Sequence, residues 1–383
     1  MKIIYLRKIT VLLFLFTLLS TVTFAQEAKW RSLFNGKDLK NWDTYLRASP
    51  QSADKTPIGL NNDPNQVFSV VDGTLRISGQ DWGGIATKES FSNYHIRFQI
   101  KWGEKRWPPR ENAKRDGGLL FHSSEPYDFG SKSWMRSMEL QIQEGDMGDA
   151  HNVGAGIPVF QLSKTKTPEG QDVQQYDPFA PFMTSTNRVF RSGNFESPYG
   201  EWTTGELVAH GSDAVFIING FVVNRIYNIF RTDLHEQVTS GRIQFQSESG
   251  EHYLRNIELR DIASVKSGKP VFISDKAQID VTADKIQNFK ITNNGESVEI
   301  IAVELLGKDI DQFNIKLPTF PLLVKKGESL NLQASLKPGS TLNNNVKLKL
   351  ETVYGPVSEF EITLVSKQVK THTFKNHIPN NGV

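Results

Sequence analysis

The stretch MELQIQEGDMGDAH, Met138–His151, concentrates side chains that could do chemistry. Its first half reads as a strand with Glu139, Gln141 and Gln143 on one face. Its second half is a glycine-punctuated loop carrying Glu144, Asp146, Asp149 and His151. A strand with a wholly polar face is either a solvated sheet surface or the floor of a site. On a floor, a carboxylate can serve as general acid, general base or oxygen ligand, and a glutamine can bond sugar hydroxyls or metal-bound water. His122, which closes the run GGLLFH, is a candidate base or metal ligand. Four tryptophans, Trp82, Trp102, Trp107 and Trp134, offer flat apolar faces of the kind that stack on a pyranose ring. Trp102 alternates with Ile100 and fits a core position better.

The elements that must position these residues are strands. Period-2 alternation and turn dipeptides dominate, and helical periodicity is hard to find. VFSVVDGTLRIS reads as a hairpin turned at Asp72-Gly73, and AVFIINGFVVNRI as a second turned at Asn219-Gly220. YHIRFQIKW sets Tyr94, Ile96, Phe98, Ile100 and Trp102 against His95, Arg97, Gln99 and Lys101. GGLLFH is a short strand with Leu119 and Phe121 on one face and His122 on the other. Gly103–Asp116 and Gly154–Gly200 read as long loops, and loops of that length inside a compact domain usually carry function. The whole is expected to be all-β, with a large two-sheet sandwich over 26–264. After the linker SVKSGKP (Ser264–Pro270) the texture becomes shorter and more regular, as in SLNLQASL and VKLKLET. Residues 270–368 are expected to form a smaller immunoglobulin-like β-sandwich, a structural or docking module, and 370–383 a loose tail.

The first residues bear on compartment. Lys2, Arg7 and Lys8 precede an apolar run that ends in the small residue Ala25, so 1–25 reads as a secretory signal peptide and the protein as exported, periplasmic or secreted, from a bacterium. Across 383 residues there is no Cys, which excludes disulfides and thiolate metal sites. Losing the three basic residues of the signal turns the formal +2 into a slight negative, so nothing points to nucleic acid or, after signal removal, to membrane insertion.

Two resemblances sharpen the function. Glu139-x-Gln141-x-x-Glu144 resembles the Glu-x-Asp-x-x-Glu strand of retaining laminarinase-type glycosidases, but Gln141 stands where that pattern has a carboxylate. Without a bulge, Glu144 would also lie on the opposite face from Glu139. Longer segments agree with another family. LFNGKDLKNW (Leu33–Trp42), KWGEKRWPPRENAKRDGGLLFH (Lys101–His122), WMRSMELQIQEGDMGD (Trp134–Asp149) and SGRIQFQSE (Ser240–Glu248) together resemble the 3-keto-disaccharide hydrolase family. That resemblance implies a concanavalin A-like jelly roll. It also implies action on 3-keto-glycosides, by elimination or net hydrolysis, often with a divalent cation and without an organic cofactor.

A ketone at C3 acidifies the C2 proton, so a base can form an enolate and the C1 substituent can leave by β-elimination. Read this way, His122, Glu139 and Glu144 are the catalytic candidates. Lys101, Arg115, Gln141, Gln143, Trp134, Gln246 and Glu248 are the substrate-binding candidates. His122, Glu139, Asp146 and Asp149 are the candidate cation ligands. Lys101 or Arg115 could stabilise enolate charge without any metal. A conventional retaining glycosidase using Glu139 and Glu144, and a non-catalytic carbohydrate-binding protein, are the competing readings.

Overall fold

The computed structural model describes residues 29–48, 55–167, 169–265, 268–340, 344–357 and 360–367. The expected signal peptide, the expected tail and part of the expected linker lie outside the described residues. Among the described residues no helix is long and apolar enough to cross a membrane.

Two antiparallel sheets pack face to face. In the first, Trp42–Leu46, Gly83–Thr87, Arg242–Ser247, Asp116–Ser124, Arg136–Gln143 and Ala150–Val153 bond in that order. In the second the order is Phe68–Val71, Thr74–Ile77, Gly250–Asp261, Tyr94–Arg106, Thr203–His210, Asp213–Ile218 and Phe221–Arg231. Alternation drives the assembly: Leu119, Met138, Leu140, Ile142 and Phe245 from one sheet meet Ile96, Phe98, Ile100 and Phe216 from the other in one core. The rings of Phe98 and Phe245 lie 5.4 Å apart across the sheets, and those of Phe121 and Phe216 lie 5.9 Å apart. Each fully buried side chain of this size contributes roughly 1.5–3 kcal/mol. Both expected hairpins form. Asp72 and Gly73, like Asn219 and Gly220, all have positive φ, as a two-residue turn of this hand requires.

Two expectations change. The Gly154–Gly200 stretch is not a plain loop but carries strands Ile157–Lys166, Asp172–Tyr176, Phe182–Thr184 and Val189–Phe190. Only one face of the first is buried, and Pro158 with a polar Ser163–Lys166 end hides its alternation in the sequence. Gly103 likewise continues a strand that runs to Arg106. The second change concerns His122. Pairing shifts register after Phe121, and His122 takes φ +50°, so a bulge interrupts the simple alternation.

Beyond residue 270 a second, smaller β-sandwich has its own core. Phe272–Ser274, Gln287–Asn293, Ser329–Leu336 and Phe313–Lys316 form one sheet. Gln278–Val281, Ile362–Ser366, Asn345–Thr352 and Ala302–Leu306 form the facing strands. Phe289, Ile291, Leu332, Leu348 and Leu364 fill the space between them. The two sandwiches meet along Phe221–Arg231, where Phe221 pairs with Val303. A satellite cluster of Val208, Ile217, Val222, Ile262, Ile301 and Val353 seals that boundary.

Candidate active site

The polar face of Arg136–Gln143 is a floor. Met138, Leu140 and Ile142 point into the core, while Glu139, Gln141 and Gln143 point the other way and are still buried. They are covered because neighbouring elements rise around them. Glu139, Gln141 and Gln143 line a cavity of about 480 Å³ together with Trp134, Gln246, Glu248, Asp116, His151, Arg110 and Arg188.

Gly118 explains how the floor closes. Glu139 and Gln246 belong to strands that are not neighbours, because Asp116–Ser124 runs between them. Two strand spacings are about 9.6 Å, too far for direct contact over an intervening side chain. Gly118 has none. A Cβ there would lie 2.4 Å from both Glu139 Oε1 and Gln246 Oε1. Over that gap Gln246 Nε2 donates to Glu139 Oε2 at 3.4 Å.

Charge is distributed unevenly over the site. Arg110 bridges Asp116 (Nη2 to Oδ2, 2.5 Å) and Glu248 (Nη1 to Oε1, 3.3 Å). Asp116 also accepts from Gln143 Nε2 at 2.5 Å and from the Gly117 amide at 3.0 Å. Burial pushes the Asp116 carboxyl up, and Arg110 and these donors oppose it. Burial and then the Asp116 charge push Glu248 up as well. Glu139 is 5% exposed, and its carboxyl is raised well above the ordinary value. Burial is the largest cause, followed by repulsion from Glu248 and Asp116, and its one donor among the described residues is the long bond from Gln246. The surroundings of Glu139 therefore favour its protonated form.

His151 is the opposite partner. It stands directly across from Glu139 in the sheet register, a geometry that brings Cβ atoms to about 5 Å. Burial first, then the Arg188 guanidinium, holds its imidazole down at about 4, so it is neutral above that. Its Nε2 is buried without a partner among the described residues, as are Gln141 Oε1 and Gln246 Oε1. Three unpartnered polar atoms around one cavity are costly unless a polar ligand meets them.

The acidic loop holds arginines. Asp149 is fully buried and accepts from Arg188 Nε at 2.8 Å, Arg188 Nη2 at 2.5 Å, and Arg191 N and Nη1 at 2.9 Å each. Asp146 pairs with Lys114 at 2.6 Å, Arg188 at 3.3 Å and Arg191 at 3.4 Å. These two aspartates are occupied as anchors, not free as cation ligands. Arg188 Nη1 has no hydrogen-bond partner among the described residues.

The structure thus brings together Glu139, Gln141, Gln143, Trp134, Gln246 and Glu248 from the expected set, and leaves others elsewhere. His122 is turned by its bulge to the far side of its strand, where Nε2 bonds the Gly211 carbonyl at 3.1 Å and the ring meets Tyr94 edge-on. Burial lowers its imidazole to about 4, but it does not line the cavity. Glu144 lies past the end of the strand and pairs with Arg115 at 3.0 Å and Arg106 at 3.2 Å, so the Glu139/Glu144 glycosidase pair is not assembled. Arg115, committed to Glu144, packs on the Tyr199 ring. Lys101 sits on the other sheet over the Trp202 ring. Trp102 is core, as expected, and Trp107 donates to the Ser78 carbonyl. Trp82 stacks on Trp134 with centroids 5.7 Å apart.

The donor set does not fit a resident divalent cation. Among the described residues no three His, Asp or Glu side chains converge to hold one. The guanidinium of Arg110 already stands between Asp116 and Glu248, where a cation would sit. Arg110 lies within the motif RWPPRENAKRDGG, where no spacing marks it as a bridge between two carboxylates. Arg188 comes from the excursion read as a loop, where no local pattern marks it.

Residues 29–260 match the family model described as a 3-keto-alpha-glucoside-1,2-lyase-like domain. No curated protein matches the sequence. Among solved structures, a candidate glycosyl hydrolase from Parabacteroides distasonis shares 16% identity, covering 61% of this chain and 93% of that one at a TM-score of 0.36. A Bacillus subtilis protein with a galectin-like fold shares 11%, covering 62% and 97% at 0.34. The carbohydrate-binding module CBM66 of Bacillus subtilis shares 10%, covering 57% and 95% at 0.30.

Proposed function

Because the chain belongs, over residues 29–260, to the family of 3-keto-alpha-glucoside-1,2-lyase-like domains, we propose that its cavity cleaves 3-keto-glycosides by proton abstraction and elimination. The observation that carries this reading is the cross-strand pair of His151, whose imidazole is held down at about 4, and Glu139, whose carboxyl is pushed up by burial. Acid–base chemistry at one site needs a base that is free and an acid that still holds its proton, and environments that push two groups apart supply both.

The sugar lies on Gln141, Gln143 and Gln246, whose free amide oxygens accept from its hydroxyls. His151 Nε2 takes the C2 proton. The C–H electron pair becomes the C2–C3 double bond of an enolate, with the charge on the C3 oxygen. Arg188, which lines the same cavity and keeps Nη1 uncommitted among the described residues, is the cation available to that charge, and preorganised donors of this kind are worth a few kcal/mol in a buried site. The enolate then collapses: the ketone re-forms, the C1–C2 double bond forms, and the C1–O bond breaks. Glu139 gives its proton to the departing oxygen. Proton transfer from the His151 imidazolium to the Glu139 carboxylate resets the pair. Addition of water across C1–C2 would turn elimination into net hydrolysis.

Arg110 keeps Asp116 and Glu248 as a fixed pair beside Glu139, where burial first and these acidic neighbours second favour the protonated form of its carboxyl. The signal-peptide reading of residues 1–25 makes this an exported enzyme, with the smaller sandwich as its immunoglobulin-like docking module. The test is a pair of matched substrates, a glucoside and its 3-keto form, followed by NMR with and without chelator. The keto substrate should yield an unsaturated keto-sugar with chelator present, and the parent glucoside should be inert. Cleavage of the parent, or silence on every keto-glycoside, sinks the reading.

A further inference from the structure

We infer that the end of the cavity nearest Phe129 is a leaving-group subsite shaped for a flat, apolar aglycone rather than for a second sugar; this rests on the elimination reading above. His151 and Val153 share a strand face, about 7 Å apart at ordinary strand rise, or roughly one sugar ring. At Val153 the lining changes character. Val153, Gly154, Phe129, Gly130 and Trp134 replace the charged and amide groups found around Glu139.

This end is tightly built. Gly154, at φ +77°, has no room for a side chain: a Cβ there would lie 2.2 Å from Cε1 of Phe129. A Cβ on Gly130 would lie 2.3 Å from Cγ1 of Val153. The Arg136 guanidinium lies 4.1 Å from the centroid of the Phe129 ring, and its Nη1 donates to the Gly154 carbonyl at 3.3 Å. The Phe129 ring is therefore held from two sides, yet remains 40% exposed while lining the cavity. A fixed, partly open aromatic ring beside the bond-breaking groups presents the surface that another ring would cover. Trp134, stacked on Trp82, adds a second aromatic wall.

The polar groups here are already committed. Trp134 Nε1 donates to the Gly83 carbonyl at 2.9 Å, and the Asn152 amide bonds the Gly156 carbonyl and the Ala155 N–H. Apart from Ser131, a second sugar would find few side-chain partners for its hydroxyls. An aryl aglycone needs none.

The experiment compares wild type and Phe129→Ala on two 3-keto-glucosides, one with a phenyl and one with a methyl leaving group. Each substrate is compared with itself between the two proteins, so the difference in leaving-group acidity cancels. The expected result is about a 10-fold fall in kcat/KM on the phenyl substrate and less than about twofold on the methyl one, a difference in keeping with one lost aromatic contact. Equal losses on both, or no loss on the phenyl substrate, would overturn the subsite. Phe129→Leu, which keeps bulk, and a thermal melt guard against a folding defect. If wild type cleaves no keto-glycoside, the elimination reading fails, and calorimetry with the unoxidised phenyl and methyl glucosides still decides the subsite. Tighter binding of the phenyl compound, lost in Phe129→Ala, supports it; equal affinities reject it.

Discussion

Two buried ionic clusters, one in the cavity and one at the junction of the sandwiches, behave in opposite ways. At the junction, Arg225 bonds Glu351 at 2.7 and 3.1 Å and Glu304 at 3.1 Å, and Tyr176 donates to Glu304 at 2.7 Å. Every charge there meets a partner. In the cavity, among the described residues, Glu139 has one long bond, and His151 Nε2, Gln141 Oε1 and Gln246 Oε1 have no partner. Burial alone does not mark a functional group, since Glu351 is as buried as Glu139. The distinguishing feature is unfinished hydrogen bonding around an open space, which a structure tolerates where a ligand completes it.

The contrast can be broken most directly at His151 and Glu139. His151→Ala and Glu139→Gln should each lower kcat by about 10³-fold on a 3-keto-glucoside, within the range for positioned acids and bases. Their melting temperatures should not fall. If either variant melts early with activity intact, the cavity cluster is structural after all. Arg225→Met should do the reverse, costing about 3–5 kcal/mol by stranding two buried carboxylates, with unchanged kcat per folded molecule. Chemical denaturation with an activity assay measures both. Replacing Arg225, Glu304 and Glu351 together by apolar side chains should cost much less.

Titration offers a finer cut. Activity needs neutral His151 and protonated Glu139. It should fall on the acid side near pH 4, the value to which His151 is held, and fall again on the alkaline side as Glu139 ionises. Stability carries its own sign. The Glu139 carboxyl is raised on folding, so the folded state holds its proton longer than the unfolded chain does. Its contribution is complete below the ordinary 4.5 and is lost as pH rises through the folded value. Relative to wild type, Glu139→Gln should therefore gain stability as pH climbs from there, and a flat difference across pH would contradict the assignment. Gly118→Ala is a milder probe. The atoms nearest the added methyl are the far ends of Glu139 and Gln246, so stability should change by no more than about 1 kcal/mol while kcat/KM drops about 10-fold. Smallest of all, Lys101→Ala should leave kcat/KM within about twofold, as expected for a surface-type change away from the cavity.

Much of this was legible in the chain. Strand alternation placed Glu139, Gln141 and Gln143 on one face, and Asp72-Gly73 and Asn219-Gly220 marked hairpins, because period and turn chemistry are local. Gln246 and Glu248 were within reach through their motif. His122 was misplaced because a bulge is a one-residue event that alternation cannot register. Arg188 and Arg110 carry no signal in the sequence because long-range salt bridges leave no trace in spacing. Asp146 and Asp149 show the same limit: an acidic loop reads alike whether it waits for a cation or already grips guanidinium groups.

The junction has a practical corollary for anyone wishing to shorten this protein. Trimming after residue 265 would bare Val208, Ile217 and Val222 to water and leave Arg225 without either counter-ion. A minimal version would need that flank resurfaced with small hydrophilic residues before it could be expected to remain in solution, so the smaller sandwich works as a fitted cover as much as an appendage.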